Sequence, residues 1–123
     1  MQYAILCYHS ESEVFSWTKE QDDAVMSKLM VAQERMAKAG RLGPVARLMP
    51  TTAATTLRKD QDPPLVIDGP FAETKEQLLG FYVVDCKTLD EALDFARDLA
   101  RVNPGGAYEI RPISFFQPGT AHA

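Results

Sequence analysis

Two stretches of this 123-residue chain, QYAILCY at the start and LLGFYVVDC in the second half, are nearly continuous in apolar character. A strand with one solvated face alternates apolar and polar residues, so runs like these belong to strands covered on both faces. The chain can supply cover from two helices. Thr18 and Gln21 have capping-box spacing ahead of Val25, Leu29, Ala32 and Met36, which recur at helical intervals, and Gly40 is placed as a left-handed stop. That pattern predicts a helix over about Lys19–Ala39. Thr88 and Glu91 repeat the spacing ahead of a second stripe built on Leu89, Ala92, Leu93, Ala96, Leu99 and Ala100, and NPGG ends it.

Around these helices the strands fall at Gln2–Tyr8, Leu42–Met49, Ala53–Arg58, Leu65–Ile67, Leu79–Cys86 and Ala107–Phe116. Gly43 and Pro44 place the second at an edge or make its start irregular, KDQDPP suits a hairpin turn, and Pro112 interrupts the last. HSESEVFSW reads as a polar loop. The order predicts an α+β chain: ferredoxin-like βαββαβ with an extra β-hairpin strand and an antiparallel sheet. Right-handed crossovers place both helices on one face of that sheet. The other face then lacks cover, and a second copy packed sheet against sheet, a homodimer, would supply it.

The length fits one domain, residues 1–116, followed by a frayed tail, 117–123, that includes His122. Net charge is −4 with Lys and Arg scattered among the acids, so no basic face offers itself to nucleic acid or to anionic lipid. MQYAILCY has no positive leader region and is too short to span a bilayer, which points to the cytoplasm. Cys7 and Cys86 read as small buried hydrophobes in a reducing compartment; a disulfide between two strand ends on one sheet edge is the alternative. No spacing suits a metal, and no cofactor is implied.

The polar run DGPFAETKEQ, residues 68–77, holds the first candidates for chemistry. Asp68 and Gly69 form a turn in which Pro70 pushes Gly69 towards an extended conformation; Asp68 either binds backbone amides or faces a pocket. Phe71 reads as a core anchor. Glu73, Lys75 and Glu76 stand within four residues, as a solvated turn or as acid–base groups if burial or a neighbour tunes them. Thr74 and Gln77 suit a single helical turn. Arg111, inside a strand, needs an anionic partner, for which Asp68, Glu73 or a ligand would serve. His9 follows the first strand as a loop histidine, a residue type that exchanges protons near neutral pH but in loops is usually solvated. Tyr3, Tyr8 and Tyr82 are core residues that could lend hydroxyls to a pocket.

LVIDGPFAETKEQLLGFYVVD, LDEALDFA and YEIRP, with AGRL, TTLR and MQYAILCY, closely resemble the YCII-related domain proteins, specifically the branch named for its DGPF motif. The resemblance covers about residues 1–113. It implies a ferredoxin-like domain that pairs into a dimeric α+β barrel, a bacterial cytoplasmic setting, and gene neighbourhoods with extracytoplasmic-function sigma factors. Members of the wider YCII group carry a histidine near the first helix's start and an aspartate near its end. Those places correspond here to about Leu29 and Lys38, so that pair is absent. The motif matches at Asp68, Gly69, Pro70, Phe71, Glu73, Thr74, Lys75 and Glu76, and again at Arg111 and Pro112.

Two functions follow. One is a cofactor-free enzyme or small-molecule binder whose pocket lies near the DGPF motif, between the sheet and the dimer partner, with Asp68 or Glu73 as base and Lys75 or Arg111 stabilising an anion. It would perform isomerisation, elimination or hydrolysis of a small organic acid or phenol. The other is a regulatory or interaction module in sigma-factor signalling, with DGPFAETKEQ shaping the dimer edge.

Overall fold

A computed structural model describes residues 1–121; His122 lies outside them. The chain runs β1 (Gln2–His9), α1 (Glu11–Val14), α2 (Lys19–Lys38), β2 (Leu42–Arg47), a 3-10 turn (Thr51–Ala53), β3 (Thr55–Arg58), β4 (Leu65–Asp68), β5 (Gln77–Asp85), α3 (Leu89–Val102) and β6 (Ala107–Pro112). The main sheet has the order β2-β5-β1-β6 with every neighbour antiparallel. This is the expected ferredoxin-like arrangement, and the extra hairpin, β3 with β4, stands apart as its own two-stranded sheet. β2 is an edge strand whose register shifts between Leu42 and Val45, where Gly43 and Pro44 sit.

Both N-caps form as local chemistry predicts, with one difference. Thr18 Oγ1 accepts from the Gln21 amide at 3.1 Å, and the Gln21 side chain accepts in return from the Thr18 amide at 3.0 Å. Thr88 accepts from the Glu91 amide, but the Glu91 carboxylate turns to the Lys87 amide at 2.8 Å and to Arg41 at 2.5 Å. The second box is therefore half formed, because a cation from beyond the helix offers its carboxylate a stronger partner.

Long-range bonds also reshape two polar segments. The expected loop HSESEVFSW contains α1: the Glu11 carboxylate accepts from the Thr51 amide at 3.0 Å and from its hydroxyl, and the Gln77 side chain accepts from the Glu11 amide at 2.9 Å. The helical turn expected at Thr74–Gln77 does not form. Gln77 places its amide oxygen on α1 and donates to the Thr74 carbonyl at 2.6 Å, which leaves the segment irregular.

The core lies between the sheet and α2 with α3, both on one face. Ile5 and Val84 from the sheet and Phe95 and Leu99 from α3 are fully buried, joined by Leu29 and Met36 of α2. Phe95 meets Tyr82 edge to face at 5.9 Å, and burial of a side chain of this size stabilises by roughly 2–3 kcal/mol. The opposite sheet face carries two cross-strand pairs, Ala4 with Val83 and Leu6 with Phe81. Cys7 and Cys86 are free thiols. No helix among the described residues is long and apolar enough to cross a membrane.

Phe71 is not a core anchor. It is 77% exposed beyond the hairpin, with the Arg58 guanidinium 5.5 Å above its ring. The hairpin projects from the main sheet, so the turn after β4 has no core within reach. Gly69 in that turn takes φ of +116°, in the region that favours glycine.

Candidate functional site

The four side chains given catalytic roles from sequence are on the surface of the chain. Asp68 ends β4 on the projecting hairpin, and Glu73 and Lys75 lie in the irregular segment after it; all are exposed. Arg111 is exposed too, and needs no buried partner. It pairs with Ala4 on the sheet face away from the helices, in β6, which is an edge strand. None of the four borders the cavity described next.

That cavity, about 280 Å³, opens between the N-terminal half of α2 and the end of the sheet where β1 finishes. Val14, Val25, Met26, Leu29 and Val45 make most of its wall apolar, and the polar groups that interrupt them are His9, Tyr82, Tyr108 and the Asp22–Arg47 pair. A space of this size encloses one small ring with its substituents. Among the described residues no cluster of His, Cys, Asp or Glu suits a metal ion.

His9 is the main departure from the sequence reading. It is the last residue of β1 and only 8% exposed, not a solvated loop residue. β1 runs on to His9, which pairs with Gln77, and strand alternation places the imidazole on the same inner face as Tyr3 and Ile5. Its Nε2 lies 3.2 Å from the Pro104 carbonyl. A carbonyl only accepts, so Nε2 carries a hydrogen, and in the neutral ring Nδ1 holds the lone pair. Nδ1 is buried without a hydrogen-bond partner. Glu13 Oε2, at 3.9 Å, is close enough for charge attraction and too far for a hydrogen bond. Trp17 closes the site with its ring edge-on to the imidazole at 6.2 Å.

The loop behind His9 is NPGG, expected from sequence only to stop a helix. Gly105 and Gly106 have φ of +82° and +75°. A Cβ on Gly105 would lie 2.6 Å from His9 Nε2, and one on Gly106 would lie 2.2 Å from the Tyr8 carbonyl. Two glycines are thus required for the loop to press against the imidazole and bring the Pro104 carbonyl to it. Asn103 in the same loop donates to the Tyr108 hydroxyl at 3.0 Å. The sequence signal was a second consecutive glycine directly before a strand, more than a helix stop demands.

Electrostatics divide the cavity into a largely apolar interior and a charged rim. Burial raises the pKa of Tyr82 and of Tyr108, the latter opposed by the bond from Asn103, so both hydroxyls keep their protons and can donate. Burial pushes the Cys7 thiol up to about 12, which makes it an inert wall. At the rim Arg47 donates to both carboxylate oxygens of Asp22, at 3.0 and 2.8 Å. These bonds hold Asp22 below the usual carboxylate range and raise Arg47. The arrangement combines a proton-accepting ring nitrogen, hydroxyl donors and an apolar space that limits water, the parts from which acid–base catalysis is assembled.

Comparison with known proteins yields matches over most of the chain. The family model of the YCII-related domain matches residues 1–117. An uncharacterised protein of Rhizobium meliloti (strain 1021) is 59% identical over 120 residues, 97% of each chain. Among solved structures, a similar fold occurs in the 5-chloro-2-hydroxyhydroquinone dehydrochlorinase of Burkholderia phenoliruptrix AC1100, in complex with 2,5-dihydroxybenzoquinone. The TM-score is 0.55 and the identity 9%, over 93% of this chain and 94% of that one.

Proposed function

The chain belongs to the YCII-related domain family, and from that premise we propose that it is an enzyme moving a proton on a small phenolic or quinonoid ring held beside His9. The observation that carries the reading is an enclosed imidazole, on the wall of an apolar cavity, with one nitrogen clamped by Pro104 and the other unpartnered. Buried polar atoms are nearly always paired in a folded protein, so an unpaired one on a residue that borders a cavity is a candidate partner for a ligand. A ring in the cavity becomes the partner of Nδ1, which takes a proton from it. Tyr82 and Tyr108 donate to the oxygen on which negative charge collects. The reaction class is isomerisation or elimination. The fold neighbour's dehydrochlorinase activity and bound quinone belong to the same class, but the assignment rests on this chain's own lining residues.

The test is deuterium exchange into the ring C–H of 2,5-dihydroxybenzoquinone, followed by NMR. The wild type is expected to accelerate exchange over buffer, and His9→Gln to bind within a few-fold yet lose roughly a hundredfold in rate, the usual worth of a positioned base. No acceleration by the wild type, or an unchanged rate in His9→Gln, would refute it.

The surroundings of the site are part of the same proposal. The DGPF-motif branch is assigned on the DGPFAETKEQ run itself. Two chains pack through the sheet face of Ala4, Leu6, Phe81 and Val83, and the free thiols suit the reducing cytoplasm. Asp68, Glu73, Lys75 and Arg111 then shape the dimer edge, because exposure gives them neither walls nor exclusion of water on one chain. Light scattering of purified protein should give twice the chain mass, and Phe81→Asp, at a partly exposed position of that face, should reduce it to one.

A further inference from the structure

Arg47 borders two spaces. With Asp22, Val14 and Trp17 it lines both the inner cavity and a shallower trough outside, which Lys19 and Met49 flank. Asp22 grips the guanidinium through both terminal nitrogens, a bidentate contact that sets its plane. That grip uses two of the five N–H donors and leaves three for another acceptor. Arg47 is held at the junction with its side chain 39% exposed. The charged groups lining the trough are Lys19, which Asp23 pairs at 2.6 Å, Arg47 and Asp22, so Arg47 is the cation whose remaining donors face both spaces.

We infer that the substrate carries a carboxylate, which seats on the free N–H edge of Arg47 in the trough while its ring enters the cavity beside His9. The inference rests on the ring-binding reading above and adds the substrate's charge. Arg47 is the specificity residue, since its planar fork matches a carboxylate. Asp22 is a positioning residue: it holds the fork in place and touches no substrate. A neutral ring of the same size fills the cavity but leaves the fork unused.

Calorimetric titration with 2,5-dihydroxybenzoate and with hydroquinone tests this, the two differing by the carboxylate. The wild type is expected to bind the acid roughly ten- to a hundredfold tighter, the range for hydrogen bonds to a charged group, with the preference shrinking in high salt. Arg47→Met should abolish the preference while leaving hydroquinone affinity within about twofold, since Arg47 adds little to an uncharged ligand. Arg47→Lys keeps the charge opposite Asp22 and so preserves the fold, but loses the fork; it should lose most of the preference. Equal wild-type affinities for the two probes, or a preference that survives in both variants, overturn the inference and leave the ring-binding reading standing. Binding of neither probe overturns both.

Discussion

Replacing Gly105 by alanine adds one methyl group where the loop presses on His9. Two costs follow from the structure, and a second glycine separates them. Gly40, after α2, has φ of +69° and nothing within 4 Å of its would-be Cβ; Gly105 has φ of +82° and His9 Nε2 at 2.6 Å. Holding an L-residue in the left-handed region costs about 1–2 kcal/mol, partly offset by lower entropy of the unfolded chain, so Gly40→Ala should destabilise by about 1 kcal/mol. Gly105→Ala bears that and an overpacking cost of about 1–3 kcal/mol, because the obstructing atom belongs to an enclosed ring. If the ring yields, the bond to the Pro104 carbonyl is lost as well, at about 1 kcal/mol. The expected total is about 3–5 kcal/mol, a large share of the 5–15 kcal/mol typical of a domain. Urea unfolding of both variants, read from midpoints at a common slope, measures the difference. Equal effects within about 0.5 kcal/mol would mean that the loop does not clamp His9, and the account of the site would fail.

Two further outcomes are expected. Asp22, whose pKa is lowered chiefly by its bonds to Arg47, contributes stability that is present above the unfolded carboxylate pKa of about 4 and is lost as pH falls through its lower folded value. The stability gap between wild type and Asp22→Asn should therefore narrow below about pH 4, by thermal unfolding across a pH series, and a gap independent of pH would refute the linkage. Cys7, with its thiol pushed up to about 12 by burial in the cavity wall, should react with iodoacetamide at pH 8 only as fast as the protein opens. Rapid modification of the native protein, timed by mass spectrometry, would contradict that.

Much of the fold was legible because the signals that carry it are local. Thr18 and Gln21 start α2 by bonds spanning three residues, and Gly40 ends it through its own backbone angle. The apolar runs at Gln2–Tyr8 and Leu79–Cys86 became the two central strands because strand preference and apolar character are written residue by residue. Where a distant partner competes, the local reading fails: Glu91 leaves its box for Arg41, and Gln77 leaves its own for Glu11.

The sequence by itself determined the two long helices, the strands, their order and the kinship to the YCII-related domain. Only the tertiary structure decided which polar side chains are enclosed. His9 is buried by its place at the inner end of β1 and by a glycine loop 95 positions away; Asp68, Glu73, Lys75 and Phe71 are exposed on the single chain because the β3–β4 hairpin and the segment after it lie outside the main sheet. Burial is a property of three-dimensional neighbours, and those neighbours are set by pairings between segments far apart in the chain. A run of residues can therefore resemble a family while the enclosed polar side chain is a single histidine outside that run.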